Sequence, residues 1–245
     1  MKLKGIDVSK WQGKIDWKKV KEDGIDFAMI RLGYGKSTKD EYFDANVKGC
    51  EENGIKWGAY LYSYALTPSD AKKEADFVIK TLKGKTPTFP IAFDMEDADG
   101  YKKRNGNPSN SMLVRICDTF LQRVEDAGYY VMLYANLHWL NTKLNSPILD
   151  RYDKWLAQWS KSPTYKRKFS IWQYTSKGKV AGIKGNVDMN IAYTDFKFIS
   201  KPSKPTIPEP TKKGDYHKVV SGDTLSGIAK KYGTTVSKLM EMNPH

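Results

Sequence analysis

Eight short runs of aliphatic and aromatic residues punctuate residues 3–193, and their spacing limits the folds open to this chain more than any other feature. They are LKGIDVS (3–9), FAMIRLGYG (27–35), WGAYLYSYA (57–65), FPIAFDME (89–96), YYVMLYAN (129–136), KWLAQWS (154–160), FSIWQYT (169–175) and NVDMNIAY (186–193). Helical patterns fill the early gaps: WKKVKEDG, DANVKGCEENG, a segment begun by TPSDAKKEADFVIKTLKG, and SMLVRICDTFLQRVEDAG. In the third of these Ser69, following Pro68, reads as the N-cap and Gly84 as the stop. Gaps beyond residue 140 are shorter and less helical. Strands joined by crossover helices return in parallel. Five βα units followed by about three strands with weak helices therefore predict a barrel-like parallel α/β fold, regular early and irregular late.

Residues 201–214, KPSKPTIPEPTKKG, break the pattern. Four of the chain's 11 prolines lie there, which predicts an extended, semi-rigid linker. Residues 215–245 then offer a short strand, a capped helix at SGIAKKYG and a second helix at TVSKLMEMN, a small module of its own. The apolar share of 40% supports one sizeable core over residues 1–200 and excludes a disordered chain. Aromatic residues, dominated by Tyr and Trp, make up 13%, a bias that suits the flat faces of sugars or nucleobases as well as ordinary packing.

The net charge is +13, with 33 Lys and Arg against 24 Asp and Glu in residues 1–200 and 8 against 4 beyond. Positive charge spread this evenly, without a basic block, predicts no nucleic-acid arm, yet favours encounter with polyanions such as anionic wall polymers. Cys50 and Cys117 show neither CxxC nor metal-ligand spacing. Cys117 sits in an amphipathic helical pattern and reads as a buried small hydrophobe. The N-terminal MKLKGIDVSKW lacks an apolar signal core, and no run approaches the ~18 residues of a membrane span. The expectation is a protein made in a cytoplasm without a signal peptide, not inserted in a membrane, and released by another route if it acts outside.

Alternation along the strands sorts their side chains. In FPIAFDMED, Ile91, Phe93 and Met95 point one way while Ala92, Asp94 and Glu96 point the other. In a barrel the apolar set faces the helices, and the acids face the axis at the C-terminal end of the strand, where such barrels place reactive groups. GIDVS repeats this with Asp7 between Ile6 and Val8, and NVDMN with Asp188 between Val187 and Met189. Tyr60, Tyr62 and Tyr64 share one face of the third run, and Gln173 opposes Trp172 and Tyr174 in the seventh. The result is an acidic, aromatic-walled cleft. Crowded carboxylates hold one proton between them while another stays ionised, the arrangement glycoside hydrolysis requires. The same acids are also open to a hard-cation site in a metal-dependent enzyme, or to a non-catalytic binding surface. Magnesium sites usually accompany phosphate-binding loops, which are absent from the sequence, and only His138, His217 and His245 are available as imidazole ligands, His138 reading as a structural helix residue.

KGIDVSKWQGKIDW, IRLGYG, GAYLYSYA, FPIAFDMED, AQW and IWQYTSKGKVAGIKGNVDMN, in this order, resemble the glycoside hydrolase family 25 muramidases over roughly residues 3–199. The resemblance implies an irregular (β/α)5β3 barrel and, without any cofactor or metal, cleavage of the β-1,4 bond between N-acetylmuramic acid and N-acetylglucosamine in peptidoglycan. It implies that Glu96 is the general acid and that Asp94 orients the substrate's acetamido group, with net retention. Asp7 and Asp188 match the other acids of the cleft, and Tyr62, Tyr34, Tyr134 and Gln173 are carried over as substrate contacts. Arg31 is expected in a structural ion pair, and Asp97 and Asp99 as loop acids. The tail is similar to a LysM module, which implies glycan binding around Gly222, Asp223, Thr224 and Leu225. It stops at Asn243-Pro244-His245, before the second strand and second binding loop of the full pattern. A phage endolysin acting on a Gram-positive wall is the expected type, with a non-catalytic cell-wall glycan-binding protein or a chitinase- or hexosaminidase-like glycosidase as the alternatives.

Overall fold

The computed structural model describes residues 2–196, 217, 219–220, 223–234, 236 and 239. The chain divides into two compact units, Met1–Pro202 and Ser203–His245.

The first unit runs β1 (Leu3–Val8), α1 (Trp17–Glu22), β2 (Phe27–Tyr34), a two-residue β3 (Thr38–Lys39), α2 (Phe43–Glu52), β4 (Lys56–Tyr62), α3 (Pro68–Leu82), β5 (Ile91–Asp94), α4 (Tyr101–Arg104), α5 (Asn110–Asp126), β6 (Val131–Asn136), α6 (Leu137–Asn141), β7 (Asp153–Ala157), β8 (Ile171–Gly178) and β9 (Val187–Ala192). β1 pairs with both β2 and β9, so eight strands close into a barrel while β3 hangs from β2 as a short flap. Five helix-bearing crossovers come first and three strands follow, as the spacing predicts. One expectation needs correcting: β9 is antiparallel to both β8 and β1. Residues 179–186 between β8 and β9 are too few for a crossover, so the chain turns back as a hairpin. Residues 158–170 are enough for the parallel return from β7 to β8, although no helix forms there.

The helices form because their apolar positions recur on one face. In α3 the buried apolar set is Ala71, Ala75, Val78 and Leu82; in α5 it is Leu113, Val114, Ile116, Cys117, Phe120, Leu121 and Val124. The cap of α3 is Thr67, not Ser69. The Thr67 hydroxyl accepts the Asp70 amide at 3.2 Å, and Pro68 occupies the first helical position, where its missing N–H costs nothing. Gly84, at φ +79°, ends the helix as expected. Cys50 and Cys117 are both buried and unpaired.

Two apolar layers result. Ile6, Val8, Trp57, Ala59, Leu61, Ile91, Phe93 and Trp172 pack outward against the helices. Phe27, Met29, Phe89, Ala92, Met132, Trp155 and Ile171 fill the barrel interior. Alternation thus sends each strand's two faces to the two layers that the sequence pattern assigns them.

The second unit is described only in part. Helix α7 (Leu225–Lys231) is capped by Thr224, whose hydroxyl accepts the Gly227 amide at 3.1 Å. Gly222, the linker 201–214 and most of the second expected helix lie outside the described residues.

Candidate active site

Parallel register carries the inward side chains of neighbouring strands to one height. Tyr62 stands beside Asp94 and Asp94 beside Tyr134; in the antiparallel pairs of β9, Asp188 stands beside Asp7 and Asn190 beside Gln173. β5 ends at Asp94, but Met95 still donates to the Tyr134 carbonyl at 3.0 Å, so the extended course continues to Glu96. All four sequence-predicted acids, with Tyr62, Tyr134 and Gln173, line one cleft of about 400 Å³. Tyr34 stands in an adjoining lobe of about 500 Å³, with Trp11, Tyr62, Tyr64 and Asp99. A broader groove of about 1020 Å³ between α1 and α2 contains none of these acids.

The acids divide into two pairs. Asp7, 5% exposed, accepts Gln173 Nε2 at 2.9 Å and Asn190 Nδ2 at 2.8 Å. Burial, and then the neighbouring Asp188, push the Asp7 carboxyl well above its ordinary range; burial also raises Asp188. Two carboxyls set side by side resist being ionised together. Asn190 accepts the Trp155 indole at 2.8 Å, and Gln173 Oε1 accepts Trp159 at 3.1 Å and Tyr134 at 3.3 Å. Asp7 therefore anchors a chain of side chains that reaches from the barrel floor to the exposed Trp159 on the rim.

Asp94, 4% exposed, and the half-buried Glu96 form the second pair. Burial, then the charge of Glu96, raise Asp94 well above the usual range, and burial raises Glu96. Asp94 Oδ1 is buried and has no hydrogen-bond partner. An acceptor left open in this way costs free energy unless something outside the protein meets it. Burial also raises the Tyr60, Tyr62 and Tyr134 phenols, and Tyr64 is pushed up to about 12, so all four remain hydroxyl donors across the ordinary pH range.

Several expectations outside the cluster receive their places. Arg31 Nε donates to Asp40 at 2.8 Å in a largely buried ion pair. Asp97 accepts the Lys102 and Lys103 amides at 2.7 and 3.0 Å and so begins α4. Asp99 is more than a loop acid: it accepts the Tyr64 hydroxyl at 2.8 Å and the Tyr62 hydroxyl at 3.5 Å. His138 lies exposed in α6. In the second unit Asp223 accepts the Val220 amide at 2.9 Å and pairs with His217 at 2.8 Å, while Leu225 is largely exposed.

Sequence reasoning did not single out Asn190, Trp11, Trp159 or Lys102. Asn190 was within reach, because it lies two residues beyond Asp188 on the same strand face. Trp11 and Trp159 follow strand ends directly, and at 77% and 64% exposure they are the open aromatic rims of the cleft. Lys102 gave no signal: YKKR reads as a solvated surface turn, yet Lys102 is 3% exposed.

Comparison with known proteins gives this fold a family. The family model described as Glycosyl hydrolases family 25 matches residues 6–183, and that of the LysM domain matches residues 217–245. Lysozyme M1 of Streptomyces globisporus is 32% identical over 197 residues, covering 77% of this chain and 67% of that protein. The Autolytic lysozyme of Clostridium acetobutylicum is 28% identical over 193 residues, covering 77% of this chain and 55% of that protein. Among solved structures, the modular autolysin LytC from Streptococcus pneumoniae, in complex with a synthetic peptidoglycan ligand, superposes with TM-score 0.73 at 30% identity. The match covers 78% of this chain, which spans about half of that autolysin, 47% of its length. A bacterial lysozyme from Streptomyces coelicolor gives TM-score 0.66 at 27% identity, covering 79% of this chain and 93% of that one.

Proposed function

The chain belongs to glycosyl hydrolases family 25 and is a glycoside hydrolase of the lysozyme class, and on that premise we propose that it cleaves the N-acetylmuramic acid–N-acetylglucosamine β-1,4 bond of peptidoglycan with net retention. One observation carries the reading: the unpartnered buried oxygen of Asp94, beside Glu96, in a cleft walled by tyrosines. An acetamido N–H is the donor that such an oxygen lacks. Burial raises both Asp94 and Glu96, so the pair holds a proton between them. A bound acetamido N–H favours the Asp94 anion, and a sugar covering Glu96 favours its neutral form. Binding therefore moves the proton to the residue that must donate it.

Glu96 then gives that proton to the glycosidic oxygen as the C1–O bond breaks. The acetamido carbonyl oxygen attacks C1 from the opposite face, and Asp94 stabilises the resulting oxazolinium through its N–H. Glu96, now ionised, takes a proton from the incoming water, whose oxygen opens the ring and restores the original configuration. The similarity of the tail to LysM domains supports a second hold on the same glycan, which raises the effective concentration of substrate at the cleft. An endolysin acting on a Gram-positive wall fits this design and the +13 charge.

The test is digestion of purified peptidoglycan by wild type and Glu96→Gln, with the new reducing ends identified. Muramic-acid ends from wild type, and a loss of at least about a hundredfold in Glu96→Gln, are expected. Equal release by both removes Glu96 as the acid. No release by either favours a binding protein, and cleavage of chitin oligomers favours a chitinase-like specificity.

A further inference from the structure

Beneath Asp94 and Glu96 lies a buried cation that no step above uses. Lys102 extends from α4 into the interior at the C-terminal ends of β4 and β5. Its Nζ donates to the Glu96 carbonyl at 2.8 Å and to the Ser63 carbonyl, and lies 5.8 Å from the centre of the Tyr62 ring. The Ser63 amide in turn donates to the Asp94 carbonyl at 3.0 Å. One ammonium thus ties together the two chain ends that present Tyr62 and Glu96. Such a burial has a large desolvation cost, and a lysine meets it only where opposite charge and acceptors converge. The groups facing Lys102 are Asp94, Glu96 and Asp97 from β5 and the turn after it, Glu74 from α3, the neutral thiol of Cys117 from α5, and the Tyr62 ring from β4. Glu74 belongs to the same knot: it accepts the Ser63 hydroxyl and the Tyr64 amide, each at 2.8 Å.

We propose that Lys102 is a positioning residue of the hydrolytic site: its ammonium clamps the ends of β4 and β5 and supplies the positive charge that lets Asp94 ionise on binding substrate. The inference rests on the muramidase reading above. Without the cation, Asp94 has burial, Glu96 and Asp7 against its charge, with only Arg31 in favour. Both carboxyls then keep their protons to higher pH, and the acetamido N–H meets a neutral Asp94 at pH values where the wild-type pair has already lost one proton. Lys102 touches neither substrate nor reacting atoms; it acts through Asp94 and through the Glu96 backbone.

Initial rates of reducing-end release are measured from pH 4 to 8 for wild type, Lys102→Met, Lys102→Gln and Lys102→Arg. Gln retains a donor for the carbonyls without charge, and Arg retains the charge. In the Met and Gln variants kcat falls by about tenfold or more near pH 5, recovers toward wild type near pH 8, and leaves KM within about twofold, because ionisation of Asp94 is displaced to higher pH. The Arg variant keeps the wild-type acid limb. An equal loss at every pH, or an unchanged acid limb in folded Lys102→Gln, overturns the proposal, as does failure of both uncharged variants to fold. A wild type that releases no muramic-acid ends counts against the muramidase reading instead. An active wild type with an unaltered Lys102→Gln profile counts against Lys102 alone.

Discussion

Glu74 sits fully buried inside the first unit, and its removal gives a measurable pH signature of stability. Burial raises its carboxyl from 4.5 to about 7, against the hydrogen bonds from Ser63 and Tyr64 and the charge of Lys102. Between those two pH values the unfolded chain has released the proton and the native chain retains it. The native state binds more protons there, so this group's contribution to stability falls as pH rises from 4.5 to about 7. A difference of this size corresponds to roughly 3 kcal/mol over the window. In Glu74→Gln the amide oxygen can still accept Tyr64 N–H and the NH₂ can donate to Ser63 Oγ, with nothing left to titrate. Other raised carboxyls, Asp7 and Asp94 among them, act in the same direction, so the informative quantity is the difference between variant and wild type. Urea unfolding at pH 4.5, 6, 7 and 8 should show Glu74→Gln gaining on wild type by about 3 kcal/mol from the lowest to the highest pH. Parallel curves for the two proteins would refute the assignment of a buried, proton-retaining Glu74.

Two further changes separate packing from substrate contact. Phe93 is fully buried and its ring stacks on Phe120 at 3.9 Å between centroids, so Phe93→Ala should lower unfolding free energy by about 3–5 kcal/mol; a loss below about 1 kcal/mol in urea denaturation would show that the sheet–helix layer closes over the gap. Trp159, largely exposed yet hydrogen-bonded to Gln173, should tolerate Ala with an unchanged melting temperature but a KM raised about five- to tenfold, and steady-state kinetics with an unaltered KM would remove it from the substrate wall.

The barrel was legible because two periodicities in the sequence are imposed by geometry. Alternation at two residues fixed which side chains of Asp7, Asp94, Asp188 and Gln173 face inward, and burial of the opposite face left the register no freedom to slip. The five crossover lengths fixed parallel neighbours for the first strands. The antiparallel β9 was missed because strand pattern carries no direction; only the short 179–186 connection does. Ser69 was misread as a cap because Thr, Pro and Ser stand in succession, and only the backbone shows that Pro68 already occupies the first turn.

The acids reveal themselves because each interrupts an apolar strand, whereas Lys102 and Glu74 interrupt nothing. Each sits in a polar helical segment, YKKR or PSDAKKEADF, among charged neighbours that are mostly solvated, and charge on a helix surface is the ordinary condition of such residues. Their burial arises from packing at the mouth of the barrel, where α3 and α4 close over the ends of β4 and β5. Twenty-eight residues separate them, and neither has a partner that local spacing could indicate. A cleft that concentrates negative charge must also contain something that keeps one acid ionisable, and that requirement can be stated from Asp94 and Glu96 alone. Which lysine meets it follows only from the fold: the one that is buried, that binds the Glu96 and Ser63 carbonyls, and that Asp94 most strongly stabilises.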